Sequence, residues 1–127
     1  MHKILLIEDE AQHILLVKIR LELKGFTVEA AQTGADGIAA AAGGKPDLIL
    51  LDLVLPDMEP AETIKGLRAI PSAAKTPIIA FTALDAFEIH RRNLDAEIAA
   101  YIQKPYETSE LMEKINKSLS IAPVQGR

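Results

Sequence analysis

Short apolar runs alternate along the chain with longer segments in which apolar residues recur every three or four positions. The short runs are typical of buried strands, because they are too short to form stable helices. They predict five strands, at residues 4–7, 27–30, 48–51, 78–81 and 99–102. The run at 48–51 is entirely apolar, which favours a central strand covered on both faces.

The longer segments predict five helices that follow the strands in turn, at residues 12–24, 35–42, 60–68, 86–94 and 109–119. Gly25 would end the first helix, Pro60 suits the first turn of the third, and Asp85 can cap the fourth. The alternation predicts an α/β fold, a doubly wound parallel sheet with helices on both faces. We expect one domain over residues 1–121 and a loose tail at 122–127.

Composition narrows the function classes without selecting one. The chain has 127 residues, 49% of them hydrophobic, which is enough for one continuous core. Its net charge of −4 argues against direct DNA binding, and the absence of Cys excludes disulfides and thiolate metal sites. No apolar run is long enough for a signal peptide or a membrane span, so we expect a cytoplasmic protein without membrane contact.

Polar residues follow the predicted strands at the same edge of the sheet. Glu8 and Asp9 follow the first strand, and Asp52, Thr82 and Lys104 follow the third, fourth and fifth. Open α/β sheets bind ligands beyond the carboxyl ends of their strands, so these side chains should converge. Three carboxylates repel one another unless a cation or proton intervenes, and oxygen ligands suit Mg²⁺ or Mn²⁺.

This residue set also suits phosphoryl transfer. A carboxylate such as Asp52 can be the nucleophile that forms an aspartyl phosphate. Lys104 would offset the charge of the incoming group, and Thr82 could donate a hydrogen bond to it. Proteins that transfer phosphoryl groups mainly position groups and offset charge, so this set would be sufficient.

Four segments, ILLIED at 4–9, DLILLDLVLPDM at 47–58, FTA at 81–83 and YIQKP at 101–105, occur in order. Together they make residues 3–119 resemble the receiver domains of bacterial two-component response regulators, of the single-domain, chemotaxis-regulator-like kind. The resemblance implies a flavodoxin-like (βα)5 fold with strand order 2-1-3-4-5. It also implies a phosphoryl group taken from a phosphohistidine on a sensor histidine kinase or a histidine phosphotransfer protein.

The resemblance assigns a role to each site residue. Asp52 would be the phosphoacceptor, and Lys104 would pair with it and then with the phosphoryl oxygens. Asp9 would bind Mg²⁺ directly, Glu8 would act mostly through water, and the backbone carbonyl of Val54 would complete the protein's metal ligands. Thr82 and Tyr101 would be the switch pair, with the hydroxyl moving toward the phosphoryl group and the ring turning inward. The Lys104–Pro105 peptide would be cis.

The family also suggests how the signal leaves the domain. The residues after 119 are too few for a DNA-binding output domain, so we expect output through a protein partner, or a receiver excised from a larger regulator or hybrid kinase. The partner would dock on the fourth helix, fifth strand and fifth helix, and the chain would be a monomer or weak homodimer. Two departures from the family pattern are Pro60, which stiffens its loop, and Glu97-Ile98, which alters the turn before the fifth strand.

Three other functions compete with this interpretation, and we expect the chain not to be an enzyme. A phosphatase with an aspartyl-phosphate intermediate needs a second Asp two residues after the nucleophile, where Val54 stands. A nucleotide or flavin site needs a Gly-rich or hydroxyl-rich loop after the first strand, where Glu8-Asp9-Glu10 stands. A receiver-like docking scaffold that is never phosphorylated is the third alternative, which the complete site disfavours.

Other polar residues receive ordinary interpretations. His2, His13 and His90 match no ligand spacing and are expected to be surface or packing residues. Asp57 is expected to be a turn acid and not a second nucleophile. Val54 and Leu84 follow Asp52 and Thr82 by two residues and flank the path of the attacking water in the family. Because both are apolar, we predict slow self-hydrolysis of the acyl phosphate.

Overall fold

The computed structural model describes residues 2–121, which form five strands and five α-helices around one parallel sheet. The strands are β1 (Lys3–Ile7), β2 (Thr27–Ala31), β3 (Leu48–Leu51), β4 (Ile78–Thr82) and β5 (Ala100–Gln103). The helices are α1 (Ala11–Leu23), α2 (Gly34–Gly44), α3 (Pro60–Arg68), α4 (Ala86–Arg91) and α5 (Thr108–Ile121). The predicted tail at 122–127 lies outside the described residues, so that domain boundary stays a prediction.

The strands pair in the order β2-β1-β3-β4-β5, as predicted, and every pair is parallel. Alternate residues of each strand therefore face opposite sides of the sheet. On one side, Leu5, Ile49 and Ile78 pack with buried residues of α2, α3 and α4. On the other side, Leu6, Leu50 and Phe81 pack with buried residues of α1 and α5. Both faces are covered, which explains why β3 is wholly apolar.

Local signals set most of the helix ends. Pro60 begins α3 as expected, and the Asp85 carboxylate accepts a hydrogen bond of 2.9 Å from the backbone N–H of Glu88 at the start of α4. The predicted end of α4 near residue 94 was wrong, because the helix stops at Arg91. Asn93 adopts a left-handed φ of 58°, and the N–H of Leu94 then donates to the carbonyl of Ile89 at 3.0 Å. Asn is one of the few residues that tolerate this C-terminal turn.

Two short 3₁₀ turns, at Pro71–Ala73 and Asp95–Glu97, lie in segments that lacked a predicted element. The second contains part of the Glu97-Ile98 departure, and the chain there turns into β5 without a glycine. The Lys104–Pro105 peptide bond is cis, as expected. Among residues 2–121, no helix combines the length and apolar character that crossing a bilayer requires.

Candidate functional site

The carboxyl edge of the sheet brings the predicted strand-end residues together because backbone pairing continues one residue past the strands. The N–H of Asp52 donates to the carbonyl of Ile7 at 2.9 Å, which places Asp52 beside Glu8. The N–H of Lys104 donates to the carbonyl of Thr82 at 2.7 Å, which places those two residues side by side. The main chain thus fixes where each side chain starts, and the side chains meet above the edge of β1, β3, β4 and β5.

Lys104 links the two buried acids of the site. Its Nζ lies 2.7 Å from Oε1 of Glu8 and 3.0 Å from Oδ2 of Asp52, and 5.0 Å from the centroid of the Phe81 ring. Burial by itself lowers the pKa of Lys104, but hydrogen bonds to the two carboxylates outweigh it and raise the pKa above its ordinary value. Lys104 therefore stays protonated and holds a positive charge against Asp52.

Glu8 is buried, with 1% of its surface exposed, and it accepts three hydrogen bonds. Oε1 accepts from Nδ1 of His13 at 2.6 Å and from Lys104, and Oε2 accepts from the backbone N–H of Glu10 at 2.9 Å. Burial raises the pKa of this carboxyl, but the donors, His13 foremost, together hold the pKa well below its ordinary value. Glu8 is therefore a fixed anion whose oxygens are already largely occupied.

Asp52 is also buried, at 6% exposure, but has fewer donors. Oδ1 accepts from the backbone N–H of Val54 at 2.9 Å, and Oδ2 accepts from Lys104. Burial raises the pKa of Asp52 above its ordinary value in spite of these bonds. The neighbouring Glu8 carboxyl likewise raises the pKa of the exposed Asp9. The negative charge of the three acids is thus only partly offset by Lys104.

These acids fit a divalent cation. Glu8, Asp9 and Asp52 each offer one carboxylate oxygen, and the three atoms lie within 4.8 Å of one another. Oxygen ligands and uncompensated negative charge are what Mg²⁺ requires. Asp9 and Asp52 have acceptor capacity left to hold the ion directly, whereas Glu8 would act through water because its oxygens already accept three bonds. The role of the Val54 carbonyl stays a prediction.

The two residues of the predicted switch pair lie on the neighbouring strands β4 and β5. Thr82 is fully buried, and its Oγ1 accepts a hydrogen bond of 3.2 Å from the backbone N–H of Leu84. Tyr101 is half-buried and packs against the apolar cluster on the α2–α4 side of the sheet. Thr82 is the last residue of β4, at the edge of the sheet that carries the acids, and Tyr101 pairs with Ala80, two residues earlier in that strand.

Two residues of the site were missed from the sequence. His13 was expected to be a surface or packing residue, but its side chain is only 14% exposed and contacts both Glu8 and Tyr106. No sequence pattern pointed to Tyr106 as a residue of the site. One signal was available: residues 13, 17 and 21 follow one another at four-residue spacing, and Val17 and Leu21 are buried. A polar residue on the buried face of a helix requires a partner.

Asp57 is the other acid near Asp52 in sequence, and it points elsewhere. Its carboxylate accepts hydrogen bonds of 2.8 and 3.0 Å from the backbone N–H groups of Gly34 and Ala35, at the start of α2. These bonds lower the pKa of Asp57 below its ordinary value. The residue is a turn acid that joins the loop after β3 to α2, as the sequence suggested.

Comparisons with known proteins identify the family of this chain. The sequence profile of the response regulator receiver domain matches residues 4–116. YkoG of Bacillus subtilis, an uncharacterized transcriptional regulatory protein, is 35% identical over 116 residues, which are 91% of this chain and 50% of YkoG. The chain thus spans about half the length of the curated relatives it matches.

Solved structures show the same fold. A CheY-like response regulator receiver domain protein from Methanospirillum hungatei superposes with a TM-score of 0.82 at 31% identity, covering 94% of each chain. The receiver domain of a sensor histidine kinase from Pseudomonas aeruginosa superposes with a TM-score of 0.84 at 27% identity, covering 94% of this chain and 98% of the other. That domain was crystallised with a magnesium ion coordinated in its active-site cleft. The chain belongs to the response regulator receiver domains, a family of phosphoacceptors.

Proposed function

We propose that this chain is a signalling phosphoacceptor that takes a phosphoryl group from a phosphohistidine onto Asp52 and is not a turnover enzyme. The observation that carries the proposal is the half-buried Lys104 ammonium, 3.0 Å from the Asp52 carboxylate, beside two further acids that fit a divalent cation. An Asp52 oxygen would form a bond to phosphorus as the phosphorus–nitrogen bond of the donor breaks, and the imidazole leaves. Bound Mg²⁺ would supply positive charge for the phosphoryl oxygens.

The chain's own groups would prepare this transfer. Lys104 would turn from Asp52 toward the new phosphoryl oxygens while Glu8 keeps hold of its ammonium. The backbone N–H of Val54 would hold Asp52 Oδ1, so that the other oxygen faces the donor. Such fixed donors lower the barrier because they are in place before charge moves.

A protein donor needs a surface on which to dock, and α1 offers one. Leu15, Leu16, Ile19 and Leu23 are 46% to 81% exposed, and Leu15, Ile19 and Leu23 follow one another at four-residue spacing. An apolar stripe on a helix that begins two residues after Asp9 would seat a helical partner whose phosphohistidine must reach Asp52. We therefore place the phosphodonor on α1, and keep the surface of α4, β5 and α5 for the output partner.

YkoG is a transcriptional regulatory protein of which this chain matches 50%, and we propose that the matched half contacts a protein partner and not DNA. The cytoplasmic location and the monomeric or weakly dimeric state are parts of this proposal.

Incorporation of label from phosphoramidate with Mg²⁺ tests the proposal. We expect one hydroxylamine-sensitive phosphoryl group per chain, and we expect Asp52→Asn to lose it. Asp57→Asn is the matched control and should keep the label, because the Asp57 side chain bonds to the start of α2 and not to the site. A chain that takes no label from phosphoramidate or from a phosphohistidine protein would instead support the docking scaffold. Continuous turnover of a simple phosphate ester would support the phosphatase.

The switch can be tested separately with Thr82→Val, which keeps the shape of the side chain but removes its hydroxyl. We expect this variant to be phosphorylated on Asp52 while the NMR signals of the Tyr101 ring stay at their unphosphorylated positions. A Tyr101 ring that responds to phosphorylation equally in both proteins would contradict a switch through Thr82.

A further inference from the structure

A series of hydrogen bonds through His13 and Tyr106, the two residues missed from the sequence, connects α1 to the loop after β5. Nδ1 of His13 lies 2.6 Å from Oε1 of Glu8, and Nε2 lies 2.6 Å from Oη of Tyr106. The same Glu8 oxygen is 2.7 Å from Nζ of Lys104. Tyr106 follows Lys104 by two residues, so the chain of bonds leaves this loop at Tyr106 and returns to it at Lys104.

Two aromatic rings pack against the His13 ring, in addition to the bonds at its nitrogens. Its centroid lies 5.3 Å from that of Phe81 and 5.7 Å from that of Tyr106, both in edge-on arrangements with interplanar angles of 62°. These are favourable geometries for aromatic pairs. With both nitrogens bonded and both neighbours packed, the ring has little freedom to turn.

The direction of each hydrogen bond follows from the partners. The ionised Glu8 carboxylate can only accept, so Nδ1 of His13 must carry a proton. In the neutral ring Nε2 then accepts, and the Tyr106 hydroxyl donates to it. Burial raises the pKa of Tyr106 to about 12, so this hydroxyl keeps its proton at neutral pH. In this series of bonds Tyr106 donates to His13, and His13 and Lys104 both donate to Glu8.

We propose that His13 is a positioning residue of the phosphoacceptor site, which fixes the Glu8 carboxylate so that Glu8 holds the Lys104 ammonium on Asp52. Tyr106 in turn fixes His13 from the loop that carries Lys104. The inference rests on the proposed function of Asp52. Without His13, Glu8 would keep Lys104 as its only side-chain donor, and the ammonium would be drawn toward Glu8 and away from Asp52.

Two substitutions at position 13 separate the halves of this contact. The side-chain nitrogen of Asn stands where Nδ1 stands in His, whereas that of Gln stands where Nε2 stands. His13→Asn therefore keeps the donor to Glu8, and His13→Gln keeps only the contact with Tyr106. We expect the rate of Asp52 labelling by phosphoramidate at saturating Mg²⁺ to fall about tenfold in His13→Gln and less than about threefold in His13→Asn.

Tyr106→Phe removes one hydroxyl and should lower the same rate about threefold, but should have no further effect in His13→Gln, because that contact acts only through His13 and Glu8. His90→Gln is the matched control, since the His90 side chain is 82% exposed on α4. Urea unfolding of each variant identifies any loss that comes from misfolding. Both variants remove the ring, and Gln fills more of its space than Asn, so a purely packing role would lower the rate in His13→Asn at least as much as in His13→Gln.

The nitrogen-15 shifts of the His13 ring provide a readout that needs no phosphate. We expect the neutral ring to carry its proton on Nδ1, and a proton on Nε2 would overturn the inference. Equal labelling rates in the Asn and Gln variants, or no loss in either, would also overturn it while leaving Asp52 as phosphoacceptor. A wild-type chain that takes no label would overturn the proposed function and this inference with it.

Discussion

The ends of β1 and β3 place two buried carboxylates, Glu8 and Asp52, beside the ammonium of Lys104. The surroundings of the two acids shift their pKa values in opposite directions. Glu8 accepts from His13, Lys104 and a backbone N–H, and its pKa lies well below the ordinary value. Asp52 accepts from Lys104 and one backbone N–H, and burial keeps its pKa above the ordinary value. Because the two side chains are similarly buried, the number of hydrogen-bond donors decides which acid stays ionised.

This difference suits the two acids to different roles in the site. A carboxylate whose lone pairs are occupied by three donors is a poor nucleophile but a good anchor for Lys104. A carboxylate with fewer donors keeps electron density for a bond to phosphorus. The strand-end acids are therefore not equivalent, although they look alike in sequence and touch the same lysine.

The comparison predicts opposite effects on stability when each acid becomes an amide. In Glu8→Gln, one side-chain atom becomes an NH₂ group that faces a donor, because both Glu8 oxygens accept bonds. We expect a loss of about 2–3 kcal/mol in the free energy of unfolding without Mg²⁺. In Asp52→Asn the lysine can stay with Glu8, and removing a poorly solvated charge should cost nothing or add about 1 kcal/mol.

Urea unfolding at pH 7 measures both differences. Equal losses in the two variants would show that the donors do not distinguish the acids. A stable Glu8→Gln variant would show that the three short contacts contribute nothing, which would contradict the account of Glu8 as an anchor.

Acid pH should reduce both effects on stability. Glu8 has a lowered pKa in the folded chain, so its stabilisation is present above the ordinary value of 4.5 and is lost as the pH falls below it. Asp52 has a raised pKa, so its contribution is present below the ordinary value of 3.8 and is lost as the pH rises through the folded-state value. We therefore expect the advantage of Asp52→Asn over wild type to vanish toward pH 4.

Unfolding free energies between pH 4 and pH 7, measured without divalent ions, test this expectation. The difference between wild type and Asp52→Asn should grow with pH, while the penalty of Glu8→Gln should shrink as the pH falls. A difference for Asp52→Asn that is constant over this range would mean that Asp52 titrates alike in the folded and unfolded chains.

The same contrast explains what could be predicted from sequence. The buried strand β3 and the proline-started helix α3 have the bounds that their local patterns indicated, because each end has a clear residue signal. The acids at the strand ends followed from sheet topology alone. The end of α4 was missed because Asn93 can either continue a helix or adopt the left-handed turn that ends it, and the pattern of apolar residues does not distinguish the two.

The missed half of the site has a different cause. The bond from Tyr106 to His13 joins residues 93 positions apart, on a loop and a helix. Lys104 stands at the edge of the sheet, where the end of β5 points to it, whereas Tyr106 lies further along the loop and has no such signal. Only the packed structure shows that a ring from α1 reaches Glu8, although the four-residue spacing of His13, Val17 and Leu21 already pointed inward.

The open side of Asp52 gives a smaller prediction. Val54 is 54% exposed and apolar, and the half-buried Leu84 is apolar too, so neither can orient a water toward an acyl phosphate. Val54→Asn would add about one hydrogen bond to that water, worth about 1 kcal/mol. The half-life of phosphorylated Asp52 should then shorten about fivefold, whereas the apolar control Val54→Ile should leave it unchanged. Equal lifetimes in all three proteins would rule out water access beside Val54 as the limit.

The smallest effect is expected for a carboxyl group at the surface of the molecule whose pKa is strongly lowered. Hydrogen bonds from Arg91 and Arg92 lower the pKa of Glu88 on α4 to about 2. Solvent and salt screen such pairs, and holding long side chains in place costs entropy, so Glu88→Gln should leave the unfolding midpoint in urea unchanged. A loss as large as that of Glu8→Gln would show that donor number alone, without burial, sets the strength of these contacts. An unchanged midpoint would mean that burial is what makes the donors of Glu8 count.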